Sequence, residues 1–222
     1  MTEPNPPASS PCLAAEFDPA FVDPEQARDV ARWRTAERQR LLAERAAMSV
    51  EARHVASHAI ADHLDRLLAE RFPNLQGLTI SAWWPIKAEL NLRAWLTGLA
   101  ARGAQAALPI VATKGAPLVF RPWTPETKME RGFWNIPVPA EGPEVTPDIA
   151  LAPVVGWDAA GYRLGYGGGY FDRTLAALAP SVFAIGVGLD AAQIPTIFPQ
   201  PHDIPMRLIV TETGIHPPKA PS

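Results

Sequence analysis

The sequence has a single cysteine, Cys12, in 222 residues, so it cannot form a disulfide framework or a cysteine-based metal site. It also lacks a basic excess: 20 Lys and Arg against 23 Asp and Glu argue against a general nucleic-acid-binding protein. No apolar run approaches the length of a membrane span, and the N-terminus lacks the pattern of a signal peptide. We therefore predict a cytoplasmic protein without nucleic-acid or membrane partners, and expect a monomer or weak dimer.

Proline is concentrated at the N-terminus. Residues 1–22 hold five prolines among small and acidic residues without hydrophobic periodicity, which predicts a flexible proline-rich arm. Asp23, Pro24 and Gln26 then have the order of a helix cap, a first helical residue and a capping-box partner. Apolar residues make up 47% of the chain, enough for a core. We predict a single α/β domain over 23–222.

Helical and strand-like segments alternate along this domain. The strand candidates are nearly continuous apolar runs, typical of parallel strands buried on both faces. We therefore predict a three-layer α/β/α domain with a mainly parallel central sheet. Ser49 and Asn91 are the expected caps of the second and third helices, and Gly103 the residue that ends the third. Helices are predicted over 24–47, 50–71, 92–102 and 170–178, and strands over 78–84, 106–111, 118–121, 149–155, 181–188 and 207–211.

The most informative segment lies between a buried strand and a helix, where four of five residues are glycine: Gly165, Gly167, Gly168 and Gly169. Glycine permits a positive φ and a close approach of the backbone to a ligand, and N–H groups at a helix N-terminus attract anions. Arg163 and Arg173 add cations on either side, and Asp172 supplies a carboxylate of the kind that holds Mg²⁺ beside phosphates. We predict that residues 165–169, the glycine loop, bind phosphate.

The glycine loop matches neither standard nucleotide motif. Tyr170 follows Gly169, so both the G-x-x-x-x-G-K-[ST] pattern and the third small residue of G-x-G-x-x-G are missing. Residues 186–191 do fit G-x-G-x-x-A after a strand. However, Pro195 and Pro199 exclude the helix that must follow in a dinucleotide fold. A Rossmann-type site is therefore not expected.

Basic residues on the first helix form a second group of candidates. Arg34, Arg38 and Arg45 are spaced by four and seven residues, which places them on one stripe beside the packing face. A solvated helix face with i,i+4 ion pairs explains this run, and so does a set of bidentate phosphate donors. The helix alone leaves both alternatives open.

Trp84 and Glu89 follow a predicted strand, where the ligand sites of open α/β sheets gather. Glu89 can accept paired hydrogen bonds from a polar heterocycle while Trp84 offers a flat wall; a core tryptophan and a surface glutamate explain the pair equally well. Asp203, in a proline-rich loop, is either a second Mg²⁺ carboxylate or a turn former. The sequence has neither the zinc-protease motif nor the nucleophile elbow of acyl-transfer enzymes.

The order and spacing of these residues resemble the 5-formyltetrahydrofolate cyclo-ligase (5,10-methenyltetrahydrofolate synthetase) family, from about residue 32 to residue 213. The most specific part is RLGYGGGYFD at 163–172, supported by PIKAE at 85–89, WNIP at 134–137, HDIP at 202–205 and IVTE at 209–212. The resemblance implies a fold similar to that of sugar-phosphate isomerases and CoA transferases. It also implies that ATP, with Mg²⁺, phosphorylates the formyl oxygen of 5-formyltetrahydrofolate, and that N10 attacks the resulting iminophosphate to give 5,10-methenyltetrahydrofolate, ADP and phosphate.

The resemblance further implies roles for individual residues. Asp172 and Asp203 resemble the Mg²⁺ ligands. The implied ATP contacts are Arg34, Arg38, Arg163, Leu164, Gly165, Tyr166, Gly167, Gly168, Gly169, Tyr170 and Phe171. The implied folate contacts are Trp84, Glu89, Trp134, Tyr166, Gly167, Gly168, Gly169 and Tyr170.

Several features depart from the family pattern. Gly168 stands where some relatives carry lysine and Arg207 where many carry an acid, so a non-catalytic nucleotide- or folate-binding module is an alternative. The first helix fits the basic pattern in two registers about one turn apart, which makes Arg45 an alternative to Arg34 as the phosphate contact. A third hypothesis is an enzyme of this fold that acts on a sugar phosphate or CoA ester, and it predicts indifference to ATP.

Overall fold

A computed structural model describes residues 24–219. The arm predicted for 1–22 and the Asp23 cap lie outside the described residues and stay predictions. The helices are α1 (Pro24–Ala47), α2 (Val50–Arg71), α3 (Arg93–Gly98) and α4 (Tyr170–Leu178). The strands are β1 (Thr79–Ser81), β2 (Gln105–Ile110), β3 (Val119–Pro122), β4 (Met129–Arg131), β5 (Pro137–Pro139), β6 (Ile149–Pro153), β7 (Gly156–Trp157), β8 (Arg163–Leu164), β9 (Phe183–Val187), β10 (Leu208–Thr211) and β11 (Gly214–His216). Single-turn 3-10 helices occupy Ala100–Arg102, Phe133–Asn135 and Asp190–Ala192.

Seven strands form one sheet in the order β11-β10-β9-β6-β1-β2-β3. The strands from β10 to β2 pair in parallel, whereas the edge strands β11 and β3 pair antiparallel. Both β1 and β10 are buried along their whole length, as expected of strands covered on both faces. The α2 helix packs against β10 and β11. The prediction of a mainly parallel sheet flanked by helices is therefore confirmed. Within 24–219, no helix is long and apolar enough to span a bilayer.

Helix boundaries follow local signals in the sequence. The Ser49 hydroxyl accepts a hydrogen bond from Ala52 N at 3.0 Å and caps α2, as predicted. The predicted third helix is divided: α3 ends at Gly98, and a 3-10 turn continues to Arg102. Gly103, in the left-handed conformation at φ 82°, then ends the turn as predicted.

The structure contains short strands that the sequence did not predict. The hairpins β4–β5 and β7–β8 and the edge strand β11 have two or three residues per strand, too few for an alternating pattern to be recognised. Strand β5 also begins and ends with proline, which weakens a strand signal. Conversely, the strand predicted for 78–84 is reduced to β1, because its ladder with β2 ends at Ser81. The residues after Ser81 lead to the candidate site instead.

A buried carboxylate organises the chain behind the glycine loop. Asp158 is 2% exposed. Its Oδ1 accepts hydrogen bonds from Ala160 N and Tyr162 N at 3.1 Å, and its Oδ2 accepts one from Ile197 N at 3.0 Å. Burial raises the pKa of Asp158. This one side chain therefore joins the β7–β8 turn to the segment after Ile197.

Asp158→Ala is expected to lower the free energy of unfolding by about 3 kcal/mol, because a buried N–H that loses its acceptor costs about 1–3 kcal/mol. Asp158→Asn keeps one acceptor oxygen and should lose less. Urea unfolding followed by circular dichroism measures both changes. If the Ala and Asn variants unfold at the same urea concentration as the wild type, Asp158 does not hold these two segments together.

Candidate functional site

The glycine loop leaves strand β8 and leads directly into helix α4. Gly167 and Gly169 adopt left-handed backbone conformations, at φ 93° and 63°. Within the described residues, no backbone N–H of residues 165–169 donates a hydrogen bond to another backbone group. The loop therefore presents unpaired donors at a helix N-terminus, an arrangement that suits an anion.

Arg38 of α1 lies against the glycine loop. Its Nε donates a hydrogen bond to Gly165 O at 2.6 Å. A Cβ placed on Gly167 would lie 3.4 Å from the Arg38 guanidinium carbon, in van der Waals contact, so the guanidinium packs directly against the loop backbone. Burial and the neighbouring Arg34 lower the pKa of Arg38, yet an arginine stays charged at neutral pH. The site thus combines a fixed cation with the free N–H groups of the loop.

Arg34, one turn earlier, has a different environment. Its Nε donates to Ile197 O at 2.9 Å, and its Nη2 donates to Phe198 O at 2.8 Å and to Asp203 Oδ2 at 2.5 Å. The ion pair with Asp203 is mostly buried. In this structure Arg34 therefore fastens the segment from Ile197 to Asp203 onto α1, and its contact with phosphate stays a prediction.

The two predicted metal carboxylates, Asp172 and Asp203, differ in whether they keep an oxygen atom free to bind a metal ion. Asp172 Oδ1 pairs with Arg163 Nη2 at 3.0 Å and accepts Ile204 N at 3.2 Å, whereas Asp172 Oδ2 has no hydrogen bond within the described residues. Both oxygens of Asp203 are engaged, by Arg34 and by Gln200 N. Asp172 thus fits a Mg²⁺ ion, and Asp203 fits one only if Arg34 releases it.

Further observations support this limited fit. Residues 24–219 contain no group of three or more His, Cys, Asp or Glu side chains that could hold a metal ion alone. Such a site suits Mg²⁺ that is held chiefly by phosphates and by one or two carboxylates. Arg163 is buried and also donates from Nη1 to Ile204 O at 3.0 Å. It is therefore a structural partner of Asp172 in this structure rather than an open cation beside the loop.

A buried carboxylate lies at the other end of the site. Glu89 is 8% exposed, and its Oε2 accepts a hydrogen bond from Ile86 N at 2.8 Å. The turn between them places Lys87 and Ala88 at positive φ, 46° and 62°. Burial raises the pKa of Glu89, while the Ile86 N–H and the Arg45 charge oppose that rise. Glu89 is therefore an acceptor held in a fixed orientation.

The two adjacent tryptophans have different surroundings. Trp84 lies against Trp123, with ring centroids 6.4 Å apart, and Arg93 lies over its ring at 4.7 Å. Trp83 instead interacts with Glu89 and is 8% exposed. Adjacent side chains of an extended segment point to opposite sides, so only one of the pair can face Glu89. Contact of Trp84 with a ligand stays a prediction.

An exposed aromatic group covers the far side of the glycine loop. Trp134 is 62% exposed, in the β4–β5 turn, and its ring lies 5.5 Å from Tyr170 and 4.6 Å from Phe133. A Cβ on Gly168 would lie 2.9 Å from the Tyr170 ring and 3.4 Å from Trp134. The fold thus brings a distant hairpin to the loop, and a planar ligand can stack on the exposed ring.

The site also contains residues that the sequence analysis did not assign to these positions. Arg45 lies beside Tyr166, with its Nη2 donating to the hydroxyl at 2.5 Å, and Trp83 and Phe133 had no predicted role. The spacing of seven residues from Arg38 to Arg45 was a signal that both share a helix face. Nothing local could have distinguished Trp83 from Trp84.

These elements form one site with two chemical ends. The glycine loop, the α4 N-terminus and Arg38 offer donors and positive charge for a phosphorylated ligand. Glu89 offers a fixed acceptor for a heterocycle with N–H groups, and Trp134 an exposed flat surface. Such an arrangement can hold two ligands side by side.

Comparison with known proteins identifies the family. Residues 30–212 match the model of the 5-formyltetrahydrofolate cyclo-ligase family. The chain is 32% identical over 145 residues to the 5-formyltetrahydrofolate cyclo-ligase of Mycolicibacterium smegmatis, covering 62% of this chain and 75% of that protein. It is 27% identical over 184 residues to the Haemophilus influenzae 5-formyltetrahydrofolate cyclo-ligase, covering 78% of this chain and 96% of that protein.

Solved structures of low sequence identity share the fold. The structure of Aquifex aeolicus 5,10-methenyltetrahydrofolate synthetase superposes with a TM-score of 0.71 at 24% identity, covering 85% of this chain and 94% of that one. The Mycoplasma pneumoniae 5,10-methenyltetrahydrofolate synthetase gives a TM-score of 0.64 at 23% identity, covering 81% and 98%. These structures show the shared fold, and the match of residues 30–212 to the family model shows that the chain belongs to the 5-formyltetrahydrofolate cyclo-ligase family.

Proposed function

We propose that this protein converts 5-formyltetrahydrofolate to 5,10-methenyltetrahydrofolate with consumption of ATP and release of ADP and phosphate. Family membership supports the reaction. The observation that carries it is that the glycine loop, whose N–H groups donate to no other backbone group within 24–219, contacts the buried Glu89 carboxylate through the Tyr166 hydroxyl. The first suits a triphosphate, and the second suits the N–H edge of a pterin.

In the proposed mechanism the protein supplies position and charge. The glycine loop and Arg38 hold the phosphates and neutralise the charge that moves during phosphoryl transfer. Glu89 orients the pterin, and Trp134 covers the adjoining part of the folate. The formyl oxygen leaves poorly as an amide oxygen and readily once phosphorylated, after which N10 closes the ring. Asp172 would hold Mg²⁺ together with the phosphates, and the ion would supply positive charge against the phosphate oxygens.

Turnover tests the proposal directly. Purified protein is mixed with 5-formyltetrahydrofolate and MgATP, and the methenyl chromophore and inorganic phosphate are followed together. We expect both products to appear at equal rates, and neither without ATP. Product that forms equally well without ATP, or no product under any condition, would reject the proposal.

Gly168 supports one competing function, a nucleotide- or folate-binding module without turnover. The Tyr170 and Trp134 rings crowd the space beside Gly168, where some relatives carry lysine. Arg207, the other departure, is exposed. Tight binding of both ligands without phosphate release would favour this alternative. We also retain as proposals a cytoplasmic location, a monomer or weak dimer, and one domain over 23–222.

Gly167→Ala is expected to weaken ADP binding about ten-fold, since a left-handed conformation costs a non-glycine residue roughly 1–2 kcal/mol. The added Cβ would also contact the Arg38 guanidinium. Gly98→Ala is the matched control, because Gly98 lies in α3 with no atom within 4 Å of an added Cβ. Calorimetric titration with MgADP measures both variants. Equal ADP affinity in the two variants would show that the conformation of Gly167 is not required.

A further inference from the structure

Arg45 occupies the last turn of α1, two turns beyond Arg38, and is 8% exposed. Its Nη2 donates to the Tyr166 hydroxyl at 2.5 Å and lies 3.5 Å from Lys87 O. The guanidinium and the Glu89 carboxylate attract each other. A buried cation requires such compensation, since an unpaired buried charge is strongly destabilising. Arg45 therefore belongs to the Glu89 end of the site and not to the phosphate end.

Tyr166 connects the two charges. Its oxygen receives the Arg45 N–H, and its hydroxyl also interacts with the Glu89 carboxylate. Burial and the negative charge of Glu89 raise the pKa of Tyr166 to about 12, so the phenol keeps its proton at neutral pH. The three groups thus have a defined order, in which guanidinium donates to phenol and phenol faces carboxylate.

One donor next to Glu89 has no partner within the described residues. Arg45 Nε is buried without a hydrogen bond, and Arg45, Trp83 and Glu89 line one cavity of about 20 Å³. Buried polar groups are normally paired, so a group that is absent from the chain completes this arrangement. A cavity of this size has room for about one water, so it suits a water at the edge of a polar heterocycle rather than the heterocycle itself.

We propose that Arg45 is a positioning residue for folate: it holds Tyr166 in place and keeps the Glu89 carboxylate ionised and aimed at the substrate. This inference rests on the proposed function, because it takes the ligand of Glu89 to be the pterin of 5-formyltetrahydrofolate. It assigns to Arg45 a role different from phosphate binding.

The pH dependence of folate binding follows from the charges around Glu89. Arg45 of α1 and Tyr166 of the glycine loop face it from one side. An open groove that Glu89 also lines carries the remaining ionisable groups, Arg53, His54, Lys87 and Arg93. The ionised carboxylate accepts hydrogen bonds at both oxygens, whereas protonation turns one of them into a donor. Removal of Arg45 leaves these four groups in place and raises the pKa of Glu89, so folate binding should be lost at a higher pH.

The test uses Arg45→Met and Arg45→Lys, with Arg40→Met as the matched control. Arg40 lies on the same helix but is exposed and paired with Glu37 and Glu44. Binding of 5-formyltetrahydrofolate and of MgADP is titrated separately at a series of pH values. The acid limb of folate binding is the range of pH in which binding weakens as the pH falls. For Arg45→Met we expect this limb to move up by about one pH unit, so that folate binds about ten-fold more weakly at a given pH within it. The affinity for ADP should be unchanged. Arg45→Lys keeps the charge, so its acid limb stays in place, but folate binds more weakly at every pH because the Nη2 hydrogen bond to Tyr166 is lost.

Two results for Arg45→Met would overturn the inference. One is weaker ADP binding with unchanged folate binding. The other is weaker folate binding with an acid limb that does not move. If circular dichroism shows that Arg45→Met is unfolded, Arg45→Lys decides, since unchanged folate binding in that variant also overturns it. Binding is measured without turnover. A wild type that binds folate but makes no methenyl product would therefore reject the proposed function and still leave Arg45 tested.

Discussion

Glu89→Gln is expected to lower kcat/KM for 5-formyltetrahydrofolate by about 100-fold, because a lost hydrogen bond to a charged group costs about 1.5–3 kcal/mol. A carboxylate only accepts hydrogen bonds, whereas an amide presents an NH₂ group. Ile86 N already donates to one side-chain oxygen. The NH₂ group that the substitution introduces therefore faces the N–H edge of the pterin, and two hydrogen-bond donors oppose each other. ADP binding should be unchanged, because Glu89 contacts the glycine loop through the Tyr166 side chain, and the proposed phosphate donors are the loop's N–H groups.

Initial rates of methenyl formation at varied folate measure the first effect, and calorimetry with MgADP measures the second. Glu126→Gln is the matched control, since Glu126 is exposed in a turn remote from this acceptor. Equal losses of folate and nucleotide affinity would contradict the separation of the site into two ends. If kcat/KM for 5-formyltetrahydrofolate is undiminished, Glu89 does not bind the folate.

Arg38→Ala is expected to raise the KM for ATP by about 10- to 100-fold, the equivalent of one charge-assisted hydrogen-bonded contact. The substitution removes the cation beside the glycine loop and also the Nε bond that holds Gly165 O. Both changes act on the phosphates, so the affinity for folate should fall much less.

Arg38→Lys separates the two contributions. Lysine keeps the charge but lacks the planar fork, so the KM for ATP should lie between those of the wild type and Arg38→Ala. Arg40→Ala, on the exposed side of the same helix, is the control. If Arg38→Ala impairs folate binding alone, the assignment of Arg38 to the phosphates is wrong.

Features that depend on residues close together in the sequence were predictable from it. Helix α4 has the predicted bounds, Tyr170–Leu178, because the glycines before it leave no doubt where it begins. The Ser49 cap and the Gly103 turn follow from the conformational preferences of single residues. The alternation of helices with buried apolar runs was enough to predict the mainly parallel sheet.

Pairings between distant residues were not predictable. The Arg34–Asp203 ion pair joins residues far apart in sequence, and the Arg163–Asp172 pair forms only because the folded glycine loop brings its two ends together. Each of these side chains had been expected to face phosphate or metal. Periodicity could not distinguish Trp83 from Trp84, because the direction of both depends on where the β1 ladder ends. These are effects of tertiary packing, which a local pattern does not encode.

The central claim is that the glycine loop holds the phosphates of ATP while Glu89 holds the pterin. A crystal structure of the protein with MgADP and 5-formyltetrahydrofolate tests it most directly. The account predicts phosphate oxygens within hydrogen-bonding distance of the N–H groups of residues 165–169 and of Arg38, with the N–H edge of the pterin on Glu89. A nucleotide bound elsewhere, with the loop amides facing only solvent, would contradict it.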